Sequence, residues 1–123
     1  MWARGLLCAE AAVELLIGHR AWLWREDFRK VAIEFGRHVF TGEISASADL
    51  AAAVGALDAG ALPCSGGEGR ILRIAASIAE GVPVDLREAV TGLDEGNIAL
   101  VAGAVLHAAG HRGLVADFGG ERR

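Results

Sequence analysis

The chain has no tyrosine, two prolines, two cysteines and a single lysine, Lys30. Each scarcity excludes something. Two cysteines far apart, Cys8 and Cys64, make neither a zinc pattern nor a disulfide framework, so a reducing cytoplasm is the expected compartment. Cys8 lies in an apolar stretch and is expected to be a small buried hydrophobe. No apolar run approaches the roughly 18 residues that a membrane span needs. The opening residues superficially suggest a lipoprotein leader. Their apolar region is too short, Leu7 stands before Cys8 where a small residue is required, and Glu10 and Glu14 interrupt any secretory core. Basic stripes are lacking too. The net charge is −4, residues 1–41 hold six basic and five acidic groups, and residues 42–123 hold six and eleven. That balance opposes non-specific binding to a nucleic-acid backbone.

What is present is alanine and aliphatic side chains. Hydrophobic residues make up 53% of 123 residues, against a usual figure of about 45–50%. Few β-branched residues and few prolines favour packed helices over sheets. The length suits one domain, residues 1–123, with a core needing neither metal nor disulfide. Eleven arginines against one lysine, with so much alanine and glycine, reads as the codon bias of a GC-rich genome.

Apolar periodicity divides the chain into helices. Residues 5–19 form a first helix, apolar on most sides except for a narrow stripe of Glu10 and Glu14. A second helix is predicted over about 24–39, with Trp24, Phe28, Val31, Phe35 and Val39 on one face. Ser47 is expected to cap a third, with Asp49 in its first turn, Leu50, Val54 and Leu57 inward, and Gly60 and Pro63 as the stop. Ser65 and Glu68 form a capping box for a fourth helix with Ile71, Leu72, Ile74, Ala75 and Ile78 inward, ended by Gly81 and Pro83. Asp85 and Glu88 repeat the pattern for a short helix over 86–91, closed by Gly92. Asp94 caps a last helix over about 95–109, with an expected inner face of Ile98, Val101, Ala102, Val105 and Ala109. The fold class is therefore all-α, a compact bundle of five to six helices.

Few side chains carry a chemical signal. His19, His38, His107 and His111 each fall at or just past a helix C-terminus, where they serve unpaired carbonyls and the negative end of the dipole. Glu34 with His38, and His107 with His111, have the spacing of metal ligands, but no third ligand accompanies either pair. Glu10 and Glu14 read as a solvated stripe; a catalytic carboxylate pair needs an environment that separates the two pKa values. Cys64 precedes Ser65 at a helix start but has no neighbouring base in sequence. No catalytic residue, cofactor or metal is expected. The aromatic group Trp2, Trp22, Trp24, Phe28 and Phe35, with the nearly all-apolar first helix, offers more hydrophobic face than a small monomer readily buries. A homo-oligomer or protein partner joined through residues 2–40 is therefore expected, with Trp2, Leu6, Val13, Leu16, Trp22, Trp24 and Phe28 as interface candidates.

Three resemblances bear on function. Ser65-Gly66-Gly67-Glu68 and Thr91-Gly92-Leu93-Asp94 resemble two loops of ABC-type ATPases, but the phosphate-cradling G-x-x-x-x-G-K-[ST] loop is missing, and the piece before Leu86 is broken by Pro83. Arg70 to Val115 resembles the three helices and first wing strand of a winged helix-turn-helix, which implies a tri-helical subregion over 70–115 and, as the alternative function, a DNA-binding regulator. Against contact with phosphates, the last helix starts Asp94-Glu95-Gly96-Asn97 and contains no Arg or Lys. Finally, Cys64 to His111, and residues 11–19, are similar to small helical proteins of unassigned function from GC-rich actinobacteria, a resemblance that implies no activity. The expected function is protein–protein contact without catalysis.

Overall fold

The computed structural model describes residues 2–32 and 49–111, the side chains of residues 2–6 excepted. Among the described residues there are six α-helices and no strand: α1 (Trp2–His19), α2 (Glu26–Ala32), α3 (Leu50–Asp58), α4 (Gly66–Glu80), α5 (Leu86–Thr91) and α6 (Glu95–Ala108), with a 3-10 turn over Trp22–Trp24. The all-α bundle predicted from periodicity is the fold observed. Helix α1 is central, packing along both α4 and α6, while α3 lies on the other side of α4.

The caps are those that local chemistry dictates. The Ser65 hydroxyl accepts from the Glu68 N–H, and the Glu68 carboxylate accepts from the Ser65 N–H, so both halves of the capping box are made. Asp85 and Asp94 accept from the N–H groups of Glu88 and Asn97 and start α5 and α6. Gly81 ends α4 at φ +74°, a left-handed conformation that glycine adopts without steric cost. The cap of α3 differs from expectation. Asp49 itself occupies the cap position and accepts from the Ala52 N–H, so it precedes the first turn instead of lying in it; Ser47 lies outside the described residues. The same helix end receives a distant partner, because the Glu80 carboxylate accepts from the N–H groups of Leu50 (2.7 Å) and Ala51 (3.1 Å). Two further orphan donors are thereby satisfied by a side chain from the end of α4.

The core gathers Leu16 from α1, Trp22, Phe28 from α2, Leu50 from α3, Leu62 and, from α4, Ile71 and Leu72, all fully buried. Trp22 is its corner. Its indole N–H donates to the Glu68 carbonyl at 2.8 Å, and its ring packs 5.5 Å from that of Phe28. The Arg25 guanidinium covers the indole at 4.7 Å, donates to the Pro63 carbonyl at 2.7 Å and pairs with Asp27 at 2.6 Å. That pairing holds the Asp27 carboxyl below the usual carboxylate range, the Arg25 hydrogen bond being the main cause. Arg25 is extended and separates the 3-10 turn from α2. Trp24 is therefore not on the face of Phe28 and Val31 as predicted; it points outward at 73% exposure. Phe35 and Val39 lie outside the described residues.

Helix α6 also departs from expectation. Val101, Ala104 and His107 face inward, with Leu100 and Ala108 half-buried, while Ile98, Val105 and Ala109 are exposed. The helix is turned by roughly 100°, one residue step, from the predicted face. Its contact with α1 accounts for this. Leu100 lies over Gly18, where an added Cβ would come within 2.9 Å of its Cδ2, and His107 reaches the carboxylates of α1.

The two tryptophans make opposite predictions. Trp22→Ala should cost about 3–5 kcal/mol in urea denaturation, by loss of buried volume and of the bond to Glu68. Trp24→Ala should stay within about 0.5 kcal/mol of the parent.

Candidate functional site

The most unusual constellation is one that the sequence separates widely. Glu10 and Glu14 lie one turn apart on α1, and α6 runs antiparallel beside them. Between them the helices place the ring of His107, only 4% exposed. Its Nε2 is 3.3 Å from Oε1 of Glu10 and its Nδ1 is 3.4 Å from Oε1 of Glu14. Both carboxylates are about half exposed at their outer sides. The expected solvated stripe of α1 is observed, both glutamates being exposed, and along its inner edge His107 turns sideways to α1 instead of toward its own helix end.

The geometry favours a structural role. A general base needs one ring nitrogen aimed at a substrate proton. Here each nitrogen faces a carboxylate of the same protein, and the ring is buried between two helices. The arrangement lets α6 bury a polar side chain with a hydrogen-bond partner at Nε2 and the Glu14 carboxylate near Nδ1, since a buried polar group is costly without such partners. The other histidines do not join it. His19 ends α1 half-buried, with no partner for its Nδ1. His111 is exposed beyond Gly110, whose φ of +88° ends the helix and breaks the i, i+4 register with His107. Glu34 and His38 lie outside the described residues. Among the described residues no group of three or more His, Cys, Asp or Glu side chains is arranged to hold a metal ion.

A second feature is a cleft of about 500 Å³ at the start of α4. Leu57, Gly69, Val84 and Ala89 form apolar wall, and Cys64, Arg70, Arg73, Asp85 and Glu88 its polar part. Among the described residues no histidine lines it, so none of them offers Cys64 a base of the kind that activates a thiol. Cys64 is exposed, yet the partial desolvation of its thiol at the cleft pushes it above its ordinary pKa, and Glu68 adds to the shift, outweighing Arg25 and Arg73. The arginines are engaged as well. Arg73 pairs with Asp58 at 2.6 Å, and Arg70 donates to the Glu88 carbonyl at 3.1 Å. The guanidinium of Arg70 occupies the space beside Gly92, where an added Cβ would collide with it. The two ATPase-like stretches are accounted for by local structure: one is the capping box of α4, the other the end of α5 and the cap of α6.

The interface candidates divide. Leu16, Trp22 and Phe28 are enclosed by the chain's own core, so the expectation that they form a contact surface is corrected: the bond to Glu68 and the packing of α4 bury them internally. Val13 and Trp24 are exposed. The side chains of Trp2 and Leu6 lie outside the described part. Sequence reasoning missed Ile17, Leu86, Ile98 and Val105, which are large, apolar and exposed. The signal for Ile98 and Val105 was in the spacing that assigned them to the core. No helix among the described residues is long and apolar enough to cross a membrane. No family model, curated protein or solved structure matches the chain.

Two measurements follow from this geometry. Alkylation of Cys64 by iodoacetamide at neutral pH should be slower than that of free cysteine, with its pH–rate midpoint displaced upward, because only the thiolate reacts and burial disfavours it. His107→Ala should destabilise the fold by about 2–3 kcal/mol in urea titrations. Glu10→Gln, at a half-exposed partner, should cost less than about 1 kcal/mol.

Proposed function

We propose that this chain acts by protein–protein contact, as a homo-oligomer in a reducing cytoplasmic setting, without chemistry of its own. The observation that carries the reading is the exposure of large apolar side chains on regular, capped helices. Ile17 on α1 is 54% exposed and Val105 on α6 is 51%. Isolated exposed aliphatics are ordinary, but several on neighbouring helices of so small a protein mark a contact surface. A second support is that several side chains suited to chemistry are engaged by the fold. His107 is held by Glu10 and Glu14, Arg73 by Asp58, and the Cys64 thiol is pushed above its ordinary pKa. The likeness to small actinobacterial helical proteins is compatible with such a role and adds no activity to it.

The helix-turn-helix alternative draws on the succession α4, α5, α6. It is the weaker reading on electrostatic grounds. The start of α6 carries Asp94 and Glu95, both exposed, and the helix has no Arg or Lys to meet a phosphate.

Sedimentation equilibrium tests the proposal. Between about 10 μM and about 1 mM, a range that covers association free energies down to roughly 4 kcal/mol, the mass should rise above the 12.8 kDa of one chain. A single 12.8 kDa species at the highest concentration overturns self-association. Salt-sensitive binding to mixed-sequence duplex DNA would favour the alternative.

A further inference from the structure

Helix α6 carries an apolar seam that the fold leaves outward. Ile98, Ala102, Val105 and Ala109 follow at steps of four, three and four residues, which aligns them along one side of the helix. Ile98, Val105 and Ala109 are exposed, and Ala102 is half-buried. The other side is taken by α1, through Leu100 on Gly18 and His107 on Glu10 and Glu14. The 4-3-4 spacing is that by which one helix seats on another, and alanines at alternate seam positions let the two axes approach closely.

The chemistry of the helix narrows the occupant. No residue from Gly96 to Leu106 is charged. A partner presenting charged side chains along this seam would leave them desolvated and unpaired; an equally uncharged helix would not. The two ends differ in chemistry. Asp94 and Glu95 stand at the start of α6, His111 just beyond its end, and the helix dipole is positive at the first and negative at the second. A second α6 laid antiparallel meets each end with its complement: Glu95 of one copy beside His111 of the other, and opposed dipoles along the length.

We propose that α6 pairs antiparallel with α6 of a second copy about a twofold axis passing between Ala102 and Val105. This rests on the contact reading above and names its surface and its partner. Ile98 of each copy faces Ala109 of the other, and Ala102 faces Val105, as a self-complementary patch requires. A helix of this length spans roughly 20 Å, so the pair buries less than the ~800 Å² per partner of a standard interface, and its affinity is modest.

Sedimentation equilibrium on five forms tests this, with circular dichroism confirming equal helix content: the parent, Val105→Glu, Trp24→Glu, Ile98→Glu, and Ile98→Glu with Ala109→Lys. Val105→Glu and Ile98→Glu should each weaken self-association about tenfold or more, since each buries an unpaired charge. Trp24→Glu should leave it unchanged. Adding Ala109→Lys should recover much of the loss caused by Ile98→Glu, because only the antiparallel register opposes positions 98 and 109. If the parent self-associates but Val105→Glu does not weaken it, or if Trp24→Glu abolishes it, the seam is not the interface, although self-association stands. If the double variant associates no better than Ile98→Glu alone, the antiparallel arrangement is wrong. A monomeric parent at the highest concentration refutes both readings.

Discussion

Helix α1 buries Ala11, Ala12, Leu15 and Leu16, and it carries two exposed carboxylates one turn apart beside the edge on which α6 packs. An apolar face laid there would take water from the inner sides of Glu10 and Glu14 without replacing their hydrogen bonds. The chain meets the constraint by turning His107 of α6 into the contact, with one ring nitrogen toward each carboxylate. Once His107 points inward, α6 can present only Val101, Ala104 and their neighbours to the core. The apolar positions on its far side then have no partner among the described residues.

A second corner supports this layout. Trp22 binds the Glu68 carbonyl while Arg25 ties the same turn to Pro63 and Asp27. The end of α1 is thereby fixed to the start of α4, and α4 in turn caps α3 through Glu80. Most of the conspicuous polar residues thus serve as fasteners between helices. Two residues whose types suggest chemistry are altered by the fold. The fold occupies His107 on both sides and raises the Cys64 pKa.

The same reasoning explains what became of the aromatic cluster. Tryptophan and phenylalanine close together in sequence mark either a core or a contact surface, since both reward large buried area. Here a single extended residue, Arg25, decides between the two for each ring. Trp22 and Phe28 fall on the inner side of the bend and Trp24 on the outer side.

Helix identity and helix ends were legible in the chain itself. Ser65 with Glu68, Asp85, Asp94, Gly81 and Gly110 act on groups within a few residues, so their effect does not depend on the rest of the molecule. The inner faces of α3 and α4 were legible too, because there apolar spacing and burial agree. The cap from Glu80, the orientation of α6 and the meeting of Glu10, Glu14 and His107 were decided by tertiary structure alone. Each rests on a contact between positions far apart in the chain, and periodicity records that a face is apolar without recording what lies opposite. In α6 the apolar side and the inward side are different sides, because a buried histidine answers two carboxylates that only folding brings to it.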